Sequence, residues 1–168
     1  MDFKAIKLLI LDVDGVLTDG RLAIGAEGES HKSFHVRDGC AIKLWQRSGG
    51  RVAILSGRTH PALARRADEL GIDIVEIGQA RKLEAYERIV DRVDVTDAEV
   101  AYVGDDLPDI EVMRRCAWPV AVAGAAPDVK RIARYVTRQH GGSGAVAEVV
   151  ELLMRKQNRW TKAVRDGA

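Results

Sequence analysis

The sequence predicts an α/β fold, because short β-branched apolar runs alternate with longer amphipathic runs and each run closes on glycine or a polar cluster. Strands buried on both faces of a parallel sheet read as continuous apolar runs, and the amphipathic stretches between them supply the crossover helices. At 168 residues the chain has the size of one compact domain. The expected architecture is a Rossmann-like three-layer sandwich with a central parallel sheet.

Strands are expected over residues 7–13, 51–55, 72–77, 100–103 and 119–122, with a short one near Tyr135 and Val136. Helices are expected over 39–47, 61–70, 82–92, 108–115 and 144–156. Pro61 and Pro108 suit first-turn positions, where the missing N–H costs nothing, and Gly71 suits the position just past a helix end. One segment breaks the alternation. Residues 21–24 and 29–36 flank Gly25-Ala26-Glu27-Gly28, which predicts a protruding β-hairpin over about 20–36, after the first strand. Its open strand edges call for cover by a partner subunit, with a solvated flap as the alternative. Residues 1–156 form the expected domain. The stretch 157–168 is polar and basic, with Trp160 and Val164 as its apolar anchors, and reads as a flexible tail.

Composition narrows the function classes. The 26 basic residues nearly balance the 25 acidic ones, so no global field favours nucleic acid or an anionic membrane, and any anion recognition must be local. Cys40 and Cys116 lie far apart, without zinc-ligand spacing or a disulfide framework. Both read as small buried hydrophobes in a reducing cytoplasm. The apolar run 6–13 is too short to span a bilayer and ends in Asp12 and Asp14, where a signal peptide would carry small neutral residues, so a cytoplasmic location is expected.

The chemistry is expected at the carboxyl ends of the strands, where open α/β sheets bind ligands. The first strand runs into Asp12-Val13-Asp14-Gly15, and two carboxylates at the end of a buried strand are costly unless they hold a cation or titrate usefully. The strand over 100–103 ends in Gly104-Asp105-Asp106, followed by Asp109. If these two strands are neighbours, Asp12, Asp105 and the backbone carbonyl of Asp14 can share one ion, and such hard oxygen ligands suit Mg2+. Asp106 and Asp109 also read as caps of the helix that follows. The strand over 51–55 ends in Ser56-Gly57-Arg58, which places a hydroxyl and backbone N–H groups where phosphate oxygens bind, or forms only a turn. Lys82 opens a helix whose first turn can reach the same edge, with Arg81 as the competing cation. His31, His35, His60 and His140 are dispersed and read as packing or surface residues. Trp45 and Trp118 read as core or interface residues.

The order Asp-x-Asp-Gly-Val, Ser-Gly-Arg, Lys, Gly-Asp-Asp resembles the four motifs of the haloacid dehalogenase-like phosphohydrolases. The resemblance implies that Asp12 is the nucleophile that becomes an aspartyl-phosphate, Asp14 the general acid/base, Ser56 and Lys82 the phosphate binders and Asp105 a metal ligand, with Asp106 and Asp109 in support. Receiver domains also pair acids on a first strand. Their phosphorylated Asp ends a later strand, which here ends in Ser56 or Gly78. Between Asp14 and Ser56 there is room only for the hairpin and one helix, and between Ser56 and Lys82 only for one helix and one strand, so no cap domain is expected.

Further stretches, Phe34-His35-Val36-Arg37-Asp38-Gly39, Ala85-Tyr86, Leu107-Pro108-Asp109 and Gly141-Gly142-Ser143-Gly144, make the chain similar to the capless 3-deoxy-D-manno-octulosonate 8-phosphate phosphatase family over residues 7–154. That likeness implies hydrolysis of the octulosonate phosphate, a homotetramer joined through the hairpin, and a C-terminal segment that can close over a neighbour. It sets Arg58 and Arg66 near the sugar acid, with Gly57 among the substrate-binding residues of the Ser56-Gly57-Arg58 turn, although Arg66 on a helix also reads as a solvated residue. Relatives acting on the nine-carbon sugar acid 9-phosphate have Glu at the place of Arg58. A non-catalytic oligomerisation module, as found beside sugar nucleotide synthetases, is the third reading, and the intact acid set argues against it.

Overall fold

The structure, a computed structural model, describes residues 1–167. The chain begins with β1 (Leu8–Leu11), the hairpin strands β2 (Ala23–Gly25) and β3 (Gly28–His31), α1 (Val36–Arg47), β4 (Arg51–Leu55), α2 (Pro61–Leu70), β5 (Ile74–Glu76) and α3 (Lys82–Val93). It continues with β6 (Val100–Gly104), α4 (Ile110–Arg115), β7 (Trp118–Ala121), α5 (Pro127–Ile132), β8 (Tyr135–Val136), α6 (Ala145–Lys156) and α7 (Trp160–Gly167).

β1 is apolar and buried at every position, as a central strand covered on both faces must be. The six-stranded sheet has the order β5-β4-β1-β6-β7-β8, with every pair parallel. Leu11 faces Ile54 of β4 and Val103 of β6, so Asp12, Ser56 and Asp105 leave the sheet at one edge. The adjacency on which the shared ion depends is thus present. α1 packs on β4 and joins α6 and α7 in one helical layer, with α2 at its margin. α3, α4 and α5 form the other, against β4, β6 and β7. Between them Trp45, Trp118, Tyr86 and Tyr102 fill the core with the β1 residues.

The differences from expectation have local causes. α1 starts at Val36 rather than residue 39, because Asp38 in its first turn accepts from Ala147 N at 2.8 Å and so anchors that turn on the start of α6. β5 is shorter than expected, since Gly71 is left-handed and Ile72 N donates back to Ala67 O at 2.9 Å, closing α2 before the strand begins. The expected flexible tail is corrected over 157–167: α7 packs on α1 and α6. Trp160 and Ala163 lie against the core, and Arg155 sits 5.3 Å over the Trp160 ring. Ala168 lies outside the described residues. Cys116 is buried as expected, whereas Cys40 is exposed, because it falls off the stripe of α1 that buries Ala41, Ile42 and Trp45.

Candidate active site

Four loops at the carboxyl edge of the sheet surround a cavity of about 320 Å3 lined by Asp12, Asp14, Ser56, Gly57, Arg58, Lys82, Asp105, Asp106 and Asp109, together with Gly20, Gln79, Ala80 and Pro108. The expected site residues come together, Arg66 excepted. Arg66 donates to Glu69 Oε2 at 2.8 Å and to His35 O at 3.4 Å, and its guanidinium lies 5.7 Å over the Phe34 ring. It faces α1 and does not line the cavity of its own chain, because its helix α2 turns that side chain toward the neighbouring helix.

At the centre Lys82 Nζ donates to Asp12 Oδ1 and to Asp109 Oδ1, each at 2.7 Å. All three side chains are nearly inaccessible. Lys82 rather than Arg81 reaches this cluster, since Arg81 is 81% exposed at its side chain and pairs with Glu84. Asp109 is more deeply used than a cap. Its Oδ1 also accepts from Tyr102 OH at 2.7 Å, and its Oδ2 accepts from Asp105 N at 2.9 Å and Asp106 N at 3.1 Å. Asp106 is exposed and caps the short 3-10 turn Leu107–Asp109 through Leu107 N at 2.8 Å.

Carboxylate oxygens of Asp12, Asp105 and Asp109 lie within 4.8 Å of one another. Burial raises the Asp12 carboxyl above its ordinary range, against the opposing pull of Lys82. Asp105 is raised by burial, then by the nearby charges of Asp12 and Asp109, and its Oδ1 is buried without a hydrogen-bond partner among the described residues. Burial pulls the Lys82 ammonium down, but Asp12 and Asp109 outweigh it and raise it. Two buried acids, Asp12 and Asp109, and the partly buried Asp105 against one ammonium leave a negative surplus that a divalent cation would neutralise. Asp109 already receives two donors on each oxygen, which leaves Asp12 and Asp105 as the acids of this cluster better able to take a cation.

Gly15 explains why the first motif needs glycine: φ is +86°, and a Cβ there would lie 1.9 Å from Asp105 Oδ2. The buried Ser56 hydroxyl oxygen accepts from Arg58 N at 3.3 Å in the turn after β4. The Arg58 guanidinium, half exposed, donates to Glu29 Oε2 at 2.9 Å, and its Nε lies 3.6 Å from Asp14 Oδ2.

Residues 72–150 match the model of the haloacid dehalogenase-like hydrolases. The 3-deoxy-D-manno-octulosonate 8-phosphate phosphatase KdsC of Escherichia coli K12 is 45% identical over 158 residues, 94% of this chain and 84% of that protein. The chain belongs to the 3-deoxy-D-manno-octulosonate 8-phosphate phosphatase family. A cobalt-bound structure of this phosphatase from Haemophilus influenzae matches with a TM-score of 0.95 and 38% identity, covering 99% of this chain and 100% of that one. The Moraxella catarrhalis phosphatase, solved with magnesium ion, phosphate ion and KDO, matches with a TM-score of 0.94 and 36% identity, covering 98% and 94%.

The family motifs quoted from the sequence omit two residues that the structure brings to the site. Lys32 and Glu29 come from the hairpin, and Lys32 Nζ reaches Asp14. The sequence carries no signal for this pairing, since Lys32 lies 18 residues from Asp14 and meets it only through the fold of the hairpin.

Proposed function

We propose that this chain is a Mg2+-dependent phosphomonoester hydrolase that converts 3-deoxy-D-manno-octulosonate 8-phosphate to the free sugar acid and phosphate by way of an aspartyl-phosphate on Asp12. The observation that carries this reading is the buried Lys82 ammonium, shared by Asp12 and Asp109 beside the unpartnered oxygen of Asp105. Carboxylate oxygens of Asp12, Asp105 and Asp109 lie close together, and an all-oxygen donor set fits Mg2+, which Asp12, Asp105 and the Asp14 carbonyl would hold. When bound, the ion supplies neutralisation of the phosphate charge and of the charge that develops in the transition state.

The chain's own groups do the rest. Ser56, the Gly57 N–H and Lys82 orient the phosphate against Asp12. A carboxylate oxygen of Asp12 bonds to phosphorus, the bond from phosphorus to the sugar oxygen breaks, and that oxygen takes a proton from Asp14. Asp14, now ionised, removes a proton from water as the water oxygen bonds to phosphorus and the bond to Asp12 breaks. Arg58 stands at the mouth of the cavity, where a guanidinium suits the carboxylate of a sugar acid. The magnesium, phosphate and KDO held by the Moraxella catarrhalis relative support the substrate class.

The same reading includes a homotetramer joined through the hairpin, supported by the exposed apolar side chains of Leu22, Ile24 and Val36. No described helix is long and apolar enough to cross a membrane. A cytoplasmic location completes the proposal.

The test is phosphate release from a panel of phosphomonoesters, with Mg2+ and with a chelator. The octulosonate phosphate is expected to turn over fastest, to require the metal, and to be untouched by Asp12→Asn. A preference for the nine-carbon sugar acid phosphate, phosphoserine or simple sugar phosphates would contradict the substrate, and turnover by folded Asp12→Asn would contradict the mechanism.

A further inference from the structure

The two oxygens of Asp14 stand in different surroundings. Oδ1 accepts from Lys32 Nζ at 2.5 Å, and the Lys32 side chain is 2% exposed although it follows directly on hairpin strand β3. Glu29 Oε1 accepts from the same ammonium at 2.9 Å, and Glu29 Oε2 accepts from Arg58 Nη2 at 2.9 Å. His60, whose Nδ1 accepts from Ala62 N, has its Nε2 3.3 Å from the Glu29 carbonyl. The hairpin is therefore latched to the loop after β4 at the catalytic edge. Asp14 Oδ2, by contrast, is buried and receives no hydrogen bond from the described residues, with Arg58 Nε 3.6 Å away.

We infer that Lys32 is a positioning residue for the phosphatase reaction: by holding Oδ1 it aims Oδ2 as the oxygen that exchanges the proton, and it makes a competent Asp14 depend on hairpin docking. The inference rests on the reading of Asp14 as general acid/base. In the first step the proton on Oδ2 passes to the sugar oxygen as its bond to phosphorus breaks. In the second, ionised Oδ2 takes a proton from water as the bond between Asp12 and phosphorus breaks. Lys32 neither gains nor loses a proton in either step. It does not line the cavity, so it is not a phosphate ligand, and a buried ammonium of this kind is tolerated only because Asp14 and Glu29 both pair with it.

The test compares two esters in the full-length protein carrying Lys32→Met. For the sugar acid phosphate, whose leaving group needs a proton, kcat is expected to fall about 10- to 100-fold, since general acid/base assistance is worth about 10²–10⁴-fold and is here misaimed rather than removed. KM should stay within about twofold, because uniform binding is untouched. With p-nitrophenyl phosphate, whose leaving group departs without a proton, single-turnover nitrophenolate release with enzyme in excess should change less than about threefold. An equal fall for both esters, or a raised KM with kcat unchanged, would overturn the inference. Glu29→Gln, which loosens the hold on Lys32 without emptying the site, is expected to show the same selectivity at smaller amplitude, and it decides the matter if Lys32→Met does not fold. A uniform loss or no loss in Glu29→Gln then counts against the inference. Asp14→Asn separates the two levels: if it too fails to discriminate between the esters, the acid/base reading itself is wrong.

Discussion

Asp109 shows how one residue can be indispensable to a site without touching the reaction. Four donors converge on its two oxygens, and it is 1% exposed. Removing one member of a buried ion pair costs about 3–5 kcal/mol, because the other charge stays behind. Asp109→Ala should therefore lose about that much stability in urea unfolding. Asp106→Ala, which removes an exposed cap, should lose about 1 kcal/mol. Equal losses would contradict the assignment of Asp109 as the anchor of Lys82. Gly15→Ala should displace the Asp105 carboxylate and strain the backbone at positive φ, and we expect Mg2+-dependent turnover to fall at least tenfold while far-UV circular dichroism stays native. At this scale much was legible from sequence. Asp12, Asp14 and Asp105 stand out because carboxylates at the ends of buried strands are costly unless they hold a cation or titrate usefully, whereas position left Lys82 and Arg81 level and the family resemblance put Lys82 at the phosphate. Asp109 did not stand out, since spacing alone makes it a helix cap, and Lys32 did not, since its partner is 18 residues away and only the fold of the hairpin joins them.

Among the elements, the loop before α6 and the hairpin carry the consequences that periodicity could not announce. A Cβ on Gly141 would lie 1.7 Å from Gly15 O, and Gly142 N donates to Val16 O at 3.0 Å. This loop is a clamp on the catalytic loop. Gly141→Ala should cost about 1–3 kcal/mol by overpacking and lower kcat with it, and an unchanged melting temperature would refute the contact. In the hairpin, hydrogen bonds from Lys32 and then Arg58 hold the Glu29 carboxyl down to about 2, from an ordinary 4.5. A depressed carboxyl stabilises the docked hairpin fully above about pH 4.5 and loses that contribution as pH falls toward 2. A spin label on exposed Ala26 should stay immobile through pH 4.5 and gain mobility only well below it. Release above pH 4.5 would show that Glu29 is not the latch. The elements missed in the sequence were those without a period to read: α5 is six residues long, and α7 is held by Trp160 packing rather than by an apolar stripe long enough to recognise.

For the whole molecule, a parallel sheet with β1 between β4 and β6 is what converts scattered motifs into one centre. The alternation of runs was enough to predict the layers, and lack of room for an inserted domain was enough to predict an open, capless edge. Strand order was available only as a condition, namely that the strands bearing Asp12 and Asp105 be neighbours, and the pairing of Leu11 with Val103 meets it. Subunit association belongs to this scale too. Ile24 is 66% exposed on the hairpin, and Ile24→Lys should shift a tetramer toward smaller species in sedimentation velocity. A wild-type chain that sediments as a monomer at all concentrations would remove the proposed assembly. The central claim, that the phosphoryl group rests on Asp12 between its two displacements, is tested most directly by acid-quenching the enzyme during turnover of the octulosonate phosphate with Mg2+ and mapping phosphate by mass spectrometry. Phosphate on the peptide containing Asp12, absent from Asp12→Asn, is the predicted result. Phosphate on a different residue would contradict the account.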